Sequence, residues 1–448
     1  MVSSTGASDN WLFRPLGFVF LALGKVHMGF NPLAWHILSL VLFMVAVWCL
    51  YRLLWKIRPG ILAMLMALFF GTMYAAVNAV LYTQLISYLV FIALTLAGIF
   101  YLYRGVEEGR NKDIIIAVAL IFISCFLYEM GVALLILAGV YIWLRRKKSS
   151  VSLKYSMIYI ASAFVTYMLA YGSFKLFSVT SYQVAELSRI VSSQSLIQGL
   201  SYIPFLFMYW IPVIAIPSAF NIFPVASLET QSAGIGTDLP FIWISLNVIA
   251  LGVIGYFALP KKTVITNKAF PLLLGLMAFL FVCLVALYRG TDIHTGIHYI
   301  IDTNITLNMF LAWTIPLAFF YIRPDAKKVK YVALALLFLV CVSASKTFTL
   351  NYQVWKLEQP YREYVTAVDN FVEKEKDEDG FSFAFANDGH KDYIEENLSF
   401  NWPEPKPSGE IELMRANYFQ VKYYQYWNPK NPKWVIMYDG QFTATRGE

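Results

Sequence analysis

The sequence predicts an all-α polytopic membrane protein of about ten transmembrane helices, followed by a small C-terminal α/β domain on the extracytoplasmic side. Three observations predict it. Apolar side chains make up 58% of the 448 residues and charged ones 14%, against roughly half and roughly a quarter in a soluble globule. The apolar residues gather in blocks of 15 to 24 separated by short polar links, the length a helix needs to cross about 30 Å of hydrocarbon. Basic residues concentrate in alternate links, the asymmetry that sets orientation in a bilayer. No ten-residue alternation of the barrel kind is present.

The expected spans lie near 33–55, 60–80, 85–103, 113–128, 130–144, 155–178, 240–258, 269–288, 304–321 and 330–347. Arg52, Lys56 and Arg58 share one side with Arg104, Arg110 and Lys112, with Arg145 to Lys148 and Lys154, with Lys261, Lys262 and Lys268, and with Arg323, Lys327, Lys328 and Lys330. These 18 cations face only three, Lys175, Arg189 and Arg289, in the links of the other side. The first set is therefore expected to be cytoplasmic. Parity then makes the proline-broken block 202–222 an interfacial or re-entrant segment within outer loops covering 179–239, because a single crossing there would reverse every later basic link. Long outer loops are places where function collects.

The stretch 12–30, held between Arg14 and Lys25, is too short for a comfortable span and reads as an interfacial helix. No basic stretch followed by an apolar core precedes it, so the first span is expected to serve as its own insertion signal. Residues 1–347 form the expected membrane domain and 348–448 the soluble one, with a helix over 358–376 and strands at 381–386 and 433–438. The net charge of +7 comes from the basic links and forms no continuous basic face, so it gives no sign of nucleic-acid binding. Cys49, Cys125, Cys283 and Cys341 all sit in apolar blocks and read as small apolar side chains, without a disulfide or zinc framework.

Glu129 is the most informative polar residue. The apolar run 113–144 must hold two crossings with SCFLYEMG at the apex, and arms of that length reach only about 22–24 Å, which leaves the apex below the outer surface. A carboxylate there faces a wet cavity or a cation; the other reading is that it caps the helix starting at Met130. Asn78, Tyr82 and Gln84 lie at an outer corner, and Arg289, Asp292, His294, His298, Tyr299 and Asp302 fill another outer link, so together with Glu129 they outline an outward polar cavity. His294 and His298 have ligand spacing for a metal, but two imidazoles without a third ligand read as ordinary loop histidines; no metal site is assigned and the cofactor stays open, a divalent metal included. Arg14, before Pro15, can hold a lipid phosphate or anchor its helix among head groups.

The order FRPL (13–16), GFNPLAWH (29–36), NAVLYTQ (78–84) and YEMG (128–131) resembles the membrane GT-C glycosyltransferases, of the protein O-mannosyltransferase kind. The resemblance covers mainly residues 11–145, with an echo at HYI (298–300). It implies transfer of a sugar from a polyprenyl-phosphate donor to a glycan or protein acceptor on the extracytoplasmic face, in cell-envelope assembly, by a multi-pass protein of the bacterial inner membrane. It raises Glu129 and Arg14 as site residues and adds His36, for which a helix-to-helix hydrogen bond is the plain alternative. Family members open with a further span and an Asp-containing outer loop; this sequence starts beyond that point, and Asp9 is the sole carboxylate upstream of FRPL and the one candidate base. The family's His-Pro is also missing from GTMYAAVN (71–78). Three rivals follow: a lipid-linked glycan transporter, a polysaccharide polymerase, and a truncated, non-catalytic scaffold.

Overall fold

The computed structural model describes residues 14–28, 32–73, 80, 86–147, 149–177, 267–289, 305–345, 347–349, 352, 383–385, 434–438 and 442–446. The expected segments 202–222, 240–258 and 358–376 lie outside them. Cα packing divides the chain into two compact units, Asp9–Phe223 with Asp238–Thr347, and Phe348–Glu448 with Met1–Ser8 and Pro224–Thr237.

The first unit is a helical assembly. Its described helices are α1 (Pro15–Met28), α2 (Pro32–Ile57), α3 (Ile61–Thr72), α4 (Ile86–Glu108), α5 (Asn111–Cys125), α6 (Met130–Arg145), α7 (Leu153–Phe177), α8 (Ala269–Arg289) and α9 (Ile305–Tyr321). A further helix, α10 (Ala326–Thr349), follows. Four helices among the described residues, α2, α4, α7 and α10, are long and apolar enough to cross a membrane. Five more apolar stretches are shorter: Pro15–Met28, Ile61–Thr72, Met130–Arg145, Ala269–Cys283 and Asn308–Tyr321.

The distribution of side chains is that of a protein whose solvent is lipid. Leu33, Ile37, Met44 and Trp48 on α2, Leu169 on α7 and Phe338 on α10 all face outward, while Asp113, Ser124 and Asn267 are buried and hydrogen-bonded. Such an exposed apolar surface is costly in water and costs nothing in hydrocarbon, where polar groups turn inward to find partners. The chain is a helical membrane protein on this pattern.

α4 is the central helix, 72% buried along its most apolar stretch, and packs against α2, α5, α1, α6 and α9. Close approach depends on small residues. A Cβ on Gly98 would stand 2.8 Å from Ile121, and one on Gly105 would stand 2.7 Å from Ile114, so α5 can lie against α4 only because both positions lack a side chain. Gly24 of α1 likewise faces the Trp35 ring of α2, at 2.3 Å from its Cβ position. Pro15 opens α1, where its missing N–H is no loss and its fixed φ suits the first turn.

α3 was expected to run to residue 80, and it stops at Thr72, with Met73 extended. Twelve residues rise only about 18 Å, so its C-terminal carbonyls would face hydrocarbon without partners. Ser343 and Thr347 of α10 donate their hydroxyls to the Thr72 carbonyl at 3.0 and 2.8 Å. Side chains of one helix thereby close the end of another, as an apolar solvent demands. The double variant Ser343→Ala with Thr347→Val is expected to lose about 1–3 kcal/mol, since a buried acceptor is left unsatisfied, whereas either single change leaves one donor in place. Thermal unfolding in detergent checks this; equal loss from the single and double variants would remove the shared carbonyl from the account.

Among the described residues of the second unit, three strands form one sheet of order β1-β2-β3. β1 (Phe383–Phe385) pairs parallel with β2 (Trp434–Tyr438), placing Phe383 opposite Trp434. β3 (Phe442–Arg446) pairs antiparallel with β2, placing Tyr438 opposite Phe442.

Candidate functional site

α5 ends at Cys125 and the chain turns through Phe126 to Glu129 before α6. The amides of Leu127 and Tyr128 both donate to the Ser124 carbonyl at 3.0 Å, and those of Gly131 and Val132 start the next helix on Tyr128 and Glu129. The turn is tight because position 131 carries no side chain: a Cβ there would meet the backbone N and Cα of Cys125 at 2.7 and 2.8 Å.

Glu129 occupies the N-cap position of α6, yet its side chain makes no capping bond. Its carboxylate instead receives two bonds from Arg14, Nε to Oε1 and Nη2 to Oε2, each 3.1 Å. This is the parallel, bidentate geometry that matches a guanidinium to a carboxylate. Arg14 also donates Nη1 to the Tyr88 hydroxyl, and its guanidinium lies 4.7 Å from the Tyr128 ring centre and 5.4 Å from that of Tyr88. The two rings meet edge-on at 5.3 Å, with Phe91 against Tyr128 at 5.4 Å. The Leu16 amide donates to the Phe126 carbonyl at 3.3 Å, tying the start of α1 to the same turn. Tyr167 of α7 closes the side, edge-on to Phe126 at 5.5 Å and stacked with Tyr171.

Side-chain exposure is 19% for Arg14 and 30% for Glu129. Burial works against the Arg14 charge, but Glu129, Tyr88 and Tyr128 outweigh it and hold the guanidinium above its ordinary pKa. Arg14 is thus a cation held by Glu129 in an aromatic cage.

His36 is half-buried, with Nδ1 3.4 Å from the Val80 carbonyl. A carbonyl only accepts, so this contact is a helix-to-segment hydrogen bond when Nδ1 carries the proton. Asp9, Asn78, Tyr82, Gln84, Asp292, His294, His298, Tyr299 and Asp302 lie outside the described residues, and Arg289 closes α8 with its side chain outside them. Of the expected site residues, then, the structure joins Arg14 to Glu129. Tyr88 is not among the expected site residues, and Tyr128 enters only as the tyrosine of the tyrosine-glutamate pair in the YEMG motif. A tyrosine in the first turn of a span, beside a polar corner, was the available signal. Among the described residues no group of three or more His, Cys, Asp or Glu is placed to hold a metal ion.

A second polar cluster lies at the opposite end of the same helices, roughly 25 Å away by helical rise. Glu107 accepts from Arg145 at 2.7 Å, from Tyr141 at 3.2 Å and from Asn267 at 2.6 Å. Arg104 holds Asp113 through two bonds of 2.6 Å, Glu108 pairs with Lys56 and Arg110, and Arg58 donates to the carbonyls of Phe319 and Ile322. Residues from all five basic links are thereby in contact at one end of the assembly.

No protein-family model, no curated protein and no solved structure matches the chain.

Proposed function

We propose that this chain is a glycosyltransferase that moves a sugar from a polyprenyl-phosphate donor to an acceptor at the extracytoplasmic membrane face, in cell-envelope glycan assembly. The reading includes about ten spans in a bacterial inner membrane, a basic face in the cytoplasm and an extracytoplasmic α/β domain after residue 347. It rests on the motif resemblance and on one observation above the rest: the bidentate Arg14–Glu129 pair beneath Tyr88 and Tyr128, in a hairpin whose arms are too short to reach the far membrane surface.

In the reaction, the acceptor oxygen bonds to the anomeric carbon, the bond from that carbon to the phosphate oxygen breaks, and the phosphate departs with the electron pair. The acceptor proton passes to a carboxylate. Both Glu129 oxygens already accept from Arg14, so Glu129 has the part of holding the guanidinium toward the departing phosphate. The proton-accepting part falls to Asp9, with Arg289 a second phosphate contact.

The test is sugar transfer from a lipid-linked donor by the purified full chain. Glu129→Gln keeps the shape and removes the charge that orients Arg14; turnover is expected to fall about 10²-fold, the usual cost of one preorganised electrostatic group. Undiminished turnover removes Glu129 from the mechanism. Transbilayer flux of the labelled donor in liposomes without transfer would identify a transporter instead.

A further inference from the structure

The α4–α5 and α6–α7 links pack against each other. Gly109 has φ +71°, and a Cβ on it would overlap the Ser150 hydroxyl; Ser149 Oγ donates to the Val106 carbonyl at 2.7 Å, and the Ser152 amide to Asn111 Oδ1 at 3.3 Å. Their charges therefore form one surface. All three carboxylates of the first link are already paired: Glu107 with Arg145, Glu108 with Lys56 and Arg110, and Asp113 with Arg104. Lys112, Lys147 and Lys154 are exposed and carry no ion pair among the described residues. Arg146, also exposed, lies 4.2 Å over the Trp143 ring.

The surroundings say what kind of anion fits. Trp143 is 49% exposed and Tyr155 59%, two amphipathic rings of the type that settle at head-group level. Directly along the same helices, Ile115, Leu144 and Ile158 turn outward, so the cations stand at the border of an acyl-chain surface. A soluble anion would meet cations alone. A lipid meets all three layers: phosphate on the cations, glycerol against the rings, chains on the aliphatic groups.

We infer that Lys112, Arg146, Lys147 and Lys154, with Trp143 and Tyr155, form a binding site for the phosphate head group of an anionic phospholipid. The inference is independent of the transferase reading. The full chain, purified in neutral detergent, is titrated with short-chain phosphatidylglycerol, with phosphatidylcholine of the same chains, and with inorganic phosphate, following binding by native mass spectrometry and thermal unfolding. The phosphatidylglycerol is expected to bind at least tenfold more tightly than phosphatidylcholine, with the difference shrinking as salt rises. Lys112→Gln with Lys154→Gln, and Arg146→Gln with Lys147→Gln, are two separate double variants at exposed positions, each expected to weaken phosphatidylglycerol by about tenfold. Equal binding of the two lipids, full retention of the preference in both variants, or equal stabilisation by inorganic phosphate would each overturn the assignment.

Discussion

Gly131→Ala is expected to lower stability by about 1–3 kcal/mol, the range for overpacking a filled interior, and Gly131→Val by more. The atoms in the way are the backbone N and Cα of Cys125, which cannot swing aside as the end of a side chain can. Relief requires α5 and α6 to separate at the apex, and that movement carries Tyr128 and Glu129 away from Arg14. Activity should therefore fall further than stability alone accounts for. Gly139, on the same helix, supplies the control. Its Cβ position has no neighbour nearer than 3.8 Å, so Gly139→Ala is expected to be neutral or to gain a few tenths of a kcal/mol from helix propensity. Thermal unfolding of the two variants side by side decides it: indistinguishable midpoints would mean that the hairpin does not depend on the close approach at 131.

The contrast between these glycines marks where the sequence is legible. Apolar block lengths and turn residues place the helices well: spans expected at 113–128 and 130–144 are the helices Asn111–Cys125 and Met130–Arg145, and the block 85–103 is Ile86–Glu108. Composition is enough for this because lipid selects on average apolarity over a whole turn-to-turn length. What a single residue touches is a different matter. Nothing in the spacing tells Gly131 from Gly139. Arg14 and Glu129 are 115 residues apart, and Asn267 lies 160 from Glu107; such pairings are set by helix rotation and packing. The early end of α3 is of the same kind, because the hydroxyls that donate to its last carbonyl belong to α10. The basic links were legible as an asymmetry of cations, yet Glu107, Glu108 and Asp113 among them passed unremarked, since orientation depends on Lys and Arg and hardly on acids.

Those acids carry the second large effect. Glu107→Ala is expected to cost about 1–3 kcal/mol, because the Glu107 side chain, itself 23% exposed, is the acceptor for buried donors that its loss leaves unsatisfied. Tyr141 is fully buried, Asn267 is 5% exposed, and the Arg145 side chain is 12% exposed. Asn267 cannot turn to another partner freely, since its Oδ1 already accepts from the Phe270 amide at the start of α8. Glu107→Gln keeps an acceptor for Tyr141 and Asn267 while removing the charge opposite Arg145, and about half the loss is expected from it. The neighbouring Glu108 bonds to Lys56 and Arg110, whose side chains are 34% and 58% exposed; water takes over from a lost carboxylate there, so Glu108→Ala should cost no more than about 1 kcal/mol. Two adjacent glutamates on one basic link thus separate two roles. Glu107 joins α4 to α6 and α8 across long stretches of chain, and equal losses from the two alanine variants would show that the buried partners, and with them the docking of α8, do not depend on it.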